Sequence, residues 1–293
     1  MRSALALLLT FVVGFTSVSA ADLRITKDIE YGVADGVSLK LDTYLLPGRP
    51  HPAVIHVHGG GFVSGDKEGT PGAMWFDTLV GAGFSVISIN YRLAPKHPFP
   101  AGPDDVQTAI RWVKKNAKTL RVDPKRLVLI GESAGGFFVS YAGANYRRGN
   151  RVAAVIPFFG EHDFELRITE SPCAMDGYTK PKPDGGCISG GMAAFLGFAE
   201  IKTDEHRQVL SDATCANHVH KAMPPFLMIH GTRDYGVPIE QAHSMMKAMA
   251  DVGADATLIP IVGGGHGGWN KPEQQHYKAE MVAWLRNRLE LGK

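Results

Sequence analysis

The chain has 293 residues, 44% of them apolar and 20% charged, with a formal net charge of +2 at pH 7. This is the balance of an ordinary globular protein, and the length suits one large domain or two small ones. A charge so near neutrality, with no long run of like sign, argues against a nucleic-acid partner.

Arg2 supplies a short positive region, Ala4–Phe15 an apolar one, and Val18-Ser19-Ala20 a small-residue cleavage site. The pattern predicts a secretory signal peptide at 1–20, removed after Ala20 to leave one domain over 21–293. An uncleaved anchor helix is the alternative, but the apolar core is shorter than the roughly 20 residues a membrane span needs. No later segment is long and apolar enough to span. Export permits a disulfide. Of Cys173, Cys187 and Cys215, the first two flank a Pro/Gly/Lys-rich stretch that can close as a loop, so they are the expected pair. Three unpaired thiols are the alternative. Cys215 has no strand-turn-helix setting and is not expected to be a nucleophile.

Ile29–Leu45 reads as a hairpin about the Asp35-Gly36 turn. Ala53–His58 and Ser85–Tyr91 are Val/Ile-rich buried strands. Asp104–Lys118 is an amphipathic helix, with Val106, Ala109, Ile110 and Val113 on one face. Leu127–Ile130 is a strand and Phe137–Tyr146 a helix. Strands follow at Val152–Phe159, Phe226–His230 and Thr257–Val262, with helices at Ile239–Val252 and Gln274–Leu289. This alternation predicts an α/β fold: a mostly parallel twisted sheet with helices on both faces. Residues 161–222 break the alternation. They are polar, hold all three cysteines, and carry one apolar piece, Met192–Phe198. So long a connection predicts a lid-like insertion over the catalytic edge of the sheet.

The most informative motif is Gly131-Glu132-Ser133-Ala134-Gly135-Gly136, between a strand and a helix. A G-x-S-x-G there is a nucleophile elbow, a turn so sharp that only small residues fit beside the serine. It exposes the Ser133 hydroxyl near helix N-terminal N–H groups. A serine hydroxyl needs a base and an acid that orients the base. His266, in Gly263-Gly264-Gly265-His266-Gly267-Gly268 after the last strand, is the expected base. Asp234, just past the strand ending at His230, is the expected acid. An oxyanion needs converging backbone N–H donors. Ala134 supplies one, and His58-Gly59-Gly60-Gly61-Phe62 is the type of loop that supplies the others. If His266 is the base, activity falls on acidification as it gains a proton.

These motifs, with Tyr91-Arg92-Leu93-Ala94-Pro95 and His230-Gly231-Thr232-Arg233-Asp234, resemble the α/β-hydrolase serine esterases. The likeness is nearest to the hormone-sensitive-lipase-like carboxylesterases and the bacterial feruloyl/acetylxylan esterase-like group. It spans roughly residues 28–290, and Val237-Pro238 resembles the feruloyl/acetylxylan group more. It implies an α/β-hydrolase fold, a Ser133–Asp234–His266 triad, and oxyanion donors at Gly60 and Gly61 beside Ala134. It implies no cofactor, and as substrate a short-chain or aryl ester, small or carried on plant-wall polysaccharide. A general short-chain carboxylesterase and a catalytically silent hydrolase-fold binding protein are the alternatives. His56-x-His58 and His218-x-His220 have a spacing that suits a metal, but none is expected. His97 is expected at the surface. Trp75, Phe137, Phe138, Phe159 and Trp269 are candidates for a pocket wall or plain core, Trp269 first for the wall.

Overall fold

Val and Ile runs without helical periodicity become strands buried on both faces, and they set the frame of the molecule. The computed structural model describes residues 23–170 and 190–291; the expected signal peptide and the Cys173–Cys187 pair fall outside them. In chain order the elements are β1 (Arg24–Ala34), β2 (Val37–Leu45), β3 (His51–Val57), α1 (Phe76–Gly81), β4 (Ser85–Ile89), α2 (Ala101–Leu120), β5 (Val122–Glu132), α3 (Ala134–Ala144), β6 (Ala154–Phe158), α4 (Phe164–Glu170), α5 (Gly190–Leu196), α6 (Asp204–Ala213), β7 (Phe226–Gly231), α7 (Glu240–Asp251), β8 (Ala256–Ile261) and α8 (Lys271–Arg288).

The eight strands form one sheet in the order β1-β2-β4-β3-β5-β6-β7-β8. The β1–β2 hairpin and the β2–β4 pair are antiparallel; every later pair is parallel. The side-chain period of two splits each central strand between two cores. Ile55, Leu127 and Leu129 face Val106 and Ile110 of α2, Phe137 of α3 and Met245 of α7. Val54, Val128 and Ile130 face Phe76 and Leu79 of α1 and Tyr277 and Met281 of α8. Each fully buried side chain of this size contributes roughly 1.5–3 kcal/mol.

From β3 the chain steps outward to β4 and then returns to β5 on the other side. α1 and α3, which follow β3 and β5, therefore cover opposite faces. That divergence makes the carboxyl ends of β3 and β5 a topological switch point, the general binding position of open α/β sheets. The loop after β3 carries Gly59–Gly61, and the turn after β5 carries Ser133.

Several short elements were not legible in the sequence. The sequence reading has no counterpart for α1, α4, α6 or the 3-10 turn Lys67–Gly72. His97 departs from its expected place: its side chain is 12% exposed, with Nδ1 3.7 Å from Asp35 Oδ2. No helix among the described residues is long and apolar enough to cross a membrane.

Candidate active site

Ser133 sits at the hinge between β5 and α3 with φ 55° and ψ −120°, outside the regions most residues occupy. Its N–H donates to the Phe158 carbonyl of β6 at 3.0 Å. The turn passes so close to β3 that a Cβ on Gly135 would lie 2.0 Å from the Val57 carbonyl oxygen. A Cβ on Gly131 would meet the Gly135 carbonyl oxygen at 2.5 Å. These contacts explain the small residues of the motif, and strain of this kind concentrates at functional sites.

Three strand ends bring the remaining side chains together. His266 Nε2 lies 2.9 Å from Ser133 Oγ. Its Nδ1 lies 2.8 Å from Asp234 Oδ2. A carboxylate only accepts, so Nδ1–H donates to Asp234 and leaves Nε2 to accept from the serine hydroxyl. Asp234 Oδ1 takes the N–H groups of Gly236 and Val237, each at 2.9 Å. Burial works against its charge. Hydrogen bonds from His230 and His266 outweigh burial and bring the carboxyl down to about 2.

Two neighbours hold the imidazole in place. The Phe159 ring meets it edge-on, with centroids 4.7 Å apart. Phe159 itself has φ 37°, rare for a bulky residue. Trp269 is buried, and its Nε1–H donates to the Gly265 carbonyl at 2.9 Å, bracing the histidine loop from beneath. All five aromatic candidates are at most 5% exposed. Trp269 is therefore a support rather than an open wall, and only Phe159 among them packs its ring against His266.

The Gly59–Gly61 loop faces the serine from β3. Gly60 has φ 124°, Gly61 φ 58° and Phe62 φ 71°. The Gly60 carbonyl accepts from Val63 and Ser64, at 3.2 and 3.0 Å, closing a tight turn. The N–H groups of Gly60 and Gly61 have no hydrogen-bond partner among the described residues. His58 anchors the loop: Nδ1–H donates to the Gly59 carbonyl at 2.7 Å, and the ring stacks on Tyr91 at 4.4 Å. Tyr91 in turn donates to the His58 carbonyl at 3.0 Å.

Sequence reasoning missed three supports. Glu132, next to the serine, accepts from Trp75 Nε1–H at 2.6 Å and faces His56 Nε2 at 2.7 Å. Burial opposes its charge, yet His56 and Trp75 hold the carboxyl below the ordinary range. His56 Nδ1 reaches Thr70 Oγ1 at 2.7 Å, so this ring is fully engaged. His230 lies 2.7 Å from the Val237 carbonyl and 3.5 Å from Asp234 Oδ2. Glu161, past β6, pairs with Arg167 at 3.4 Å, and burial pushes its carboxyl up. Arg167 also donates to the Gly236 carbonyl at 2.6 Å. Glu132 and His230 fall within recognised motifs, but nothing in those motifs names the partners they take in the fold. His218, by contrast, turns to the Asp212 carbonyl at 2.7 Å. Cys215 is buried and unpaired.

The wound sheet, the strained serine hinge and the Ser–His–Asp contact define an α/β-hydrolase. The BD-FAE family model matches residues 41–249, and the chain belongs to that family. Esterase LipC of Mycobacterium tuberculosis is 31% identical over 239 residues, 76% of this chain and 54% of LipC. The chain spans about half the length of the curated relatives it matches. Among solved structures it is similar to a truncated carbohydrate esterase from gut microbiota, 27% identical, with TM-score 0.76 over 90% of this chain and 96% of that one. It also shares its fold with an acetyl ester-xyloside bifunctional hydrolase of Caldicellulosiruptor lactoaceticus, 21% identical, with TM-score 0.69 over 86% and 89% of the two chains.

Proposed function

We propose that the protein is a serine carboxylic-ester hydrolase that works through an acyl-enzyme. The observation that carries this reading is the unbroken contact from Asp234 through His266 to the Ser133 hydroxyl. In the proposed cycle Ser133 Oγ attacks the ester carbonyl carbon, and its proton passes to His266 Nε2. Asp234 holds the imidazole in the right tautomer and stabilises the imidazolium. The negative charge on the former carbonyl oxygen is received by the N–H groups of Gly60, Gly61 and Ala134. The C–O bond then breaks, and the alcohol leaves with the proton from His266. Water, activated by the same imidazole, releases the acid and restores the serine. Loss of one oxyanion donor typically costs about 10²–10³ in rate.

The substrate we favour is a short-chain or aryl ester, with acetyl or feruloyl esters of plant-wall polysaccharide as the natural class. The names of relatives and neighbours, esterases and carbohydrate esterases among them, support it. Export after cleavage behind Ala20 belongs to the same proposal, since polymers cannot enter a cell. N-terminal sequencing of the mature protein tests that part. Hydrolysis of p-nitrophenyl acetate, compared between the wild type and Ser133→Ala, tests the chemistry. Activity in the wild type and its loss in the variant is the expected result; equal rates would refute the reading. Acetyl, butyryl, octanoyl and feruloyl esters, together with acetylated xylan, then separate a polysaccharide esterase from a general carboxylesterase.

A further inference from the structure

One element of the insertion touches the glycine loop directly. A Cβ on Gly191 of α5 would lie 2.4 Å from the Gly61 carbonyl oxygen and 3.4 Å from its carbonyl carbon. Where its own Cβ would be Gly61 is open, with nothing within 4 Å. The next residue, Phe62, keeps a left-handed backbone at φ 71°, which a phenylalanine adopts only when its surroundings impose it. Its ring is pinned between two helices. It stacks on Phe195 of α5, with centroids 4.3 Å apart and planes 17° apart. It meets Phe137 and Phe138 of α3 edge-on at 5.6 and 5.7 Å. α5 is itself tied down, because the Phe195 carbonyl accepts the Phe99 N–H at 2.7 Å.

We propose that α5, through Gly191 and Phe195, positions the Gly60 and Gly61 N–H groups, so that the insertion sets the geometry in which the oxyanion is received. This rests on the hydrolase reading above. Three successive left-handed residues form a loop with other accessible backbone states, and open space on one side lets it swing. α5 stands against the Gly61 carbonyl. Phe195 fixes the ring that ends the loop, and the missing side chain of Gly191 allows the backbone approach. Gly191 and Phe195 are positioning residues; neither is assigned a contact with substrate.

The test is Gly191→Ala, whose methyl group forces the Gly61 carbonyl away by about 1 Å, a displacement that can cost about 10² in rate. The expected result is a fall in kcat of about 10²-fold with KM within about threefold of wild type. Inhibition by phenylboronic acid should weaken in parallel. Ser133 Oγ adds to the boron as its proton passes to His266, and a boronate oxygen takes the oxyanion position. Phe195→Leu, which keeps apolar bulk without the stacked ring, should lower kcat about tenfold, and it decides the matter if Gly191→Ala does not fold. Gly81→Ala, at the end of α1 with open space around it, is the control and should match wild type. Folded variants at both positions with wild-type kcat and boronate affinity would overturn the proposal. So would a loss of thermal stability with unchanged kcat. Hydrolysis that survives Ser133→Ala would strike the parent reading instead.

Discussion

Ser133 can hold its φ of 55° because Gly131 and Gly135 leave no Cβ on either flank to block the turn. Gly135→Ala would place a methyl group 2.0 Å from the Val57 carbonyl oxygen, so the hinge must open. We expect soluble protein to fall sharply and kcat to fall at least 10²-fold in whatever folds, read by expression yield and p-nitrophenyl acetate hydrolysis. Asp234→Asn removes the charge and can present an NH2 donor to His266 Nδ1, which favours the wrong tautomer, so kcat should drop by about 10⁴. A drop below tenfold would mean that another group orients the ring. At this scale the sequence was highly legible. Ser133, Asp234 and His266, far apart in the chain, were each marked by a local motif at a strand end, and the structure brings all three into contact. The Glu132–His56 and Glu161–Arg167 pairs were not legible, since no local pattern joins residues from different elements.

α8 shows how an element's start can be sharper in structure than in periodicity. Reading its apolar spacing gives a beginning at Gln274, yet the helix starts at Lys271. Asn270 accepts from the Glu273 N–H at 3.1 Å, and Glu273 accepts the Asn270 N–H at 2.9 Å. This capping box satisfies donors that the first turn leaves free. Asn270→Ala should cost about 1 kcal/mol, measured by urea unfolding, with little change in KM. α2 likewise begins at Ala101 rather than Asp104, because Pro103 is tolerated in a first turn. β5 runs back to Val122 through Pro124, where apolar patterning ends but pairing of Val122 with His51 continues. Helix and strand identity was thus legible wherever apolar spacing was strong. α4 and α6 were lost because each is short and lies in a long, mostly polar connection, where a few apolar residues set no clear period.

Across the molecule, stability and function meet in charges that burial opposes. Asp234 titrates at about 2 in the folded chain, against about 3.9 when unfolded. A depressed carboxyl adds stability above its unfolded value and loses it as pH falls through the folded one. The shift corresponds to roughly 2 kcal/mol, present above about pH 4 and gone near pH 2. Urea midpoints taken between pH 5 and 2 should therefore fall less steeply in Asp234→Asn than in wild type; equal slopes would contradict the assignment. The fold class was legible as a whole because strands and helices alternate from β3 to β6 and resume from β7 to β8 on the far side of the insertion. The antiparallel β2–β4 junction was not, since strand order depends on crossovers rather than on residue pattern.

The central claim is that the Ser133 hydroxyl, activated by His266, is the nucleophile. The most direct measurement is labelling with a fluorophosphonate followed by peptide mass spectrometry. The account predicts one phosphonyl group per chain, on the peptide holding Ser133, with fluoride released and no label in His266→Ala. Label on another residue, or none on an enzyme that hydrolyses esters, would contradict it.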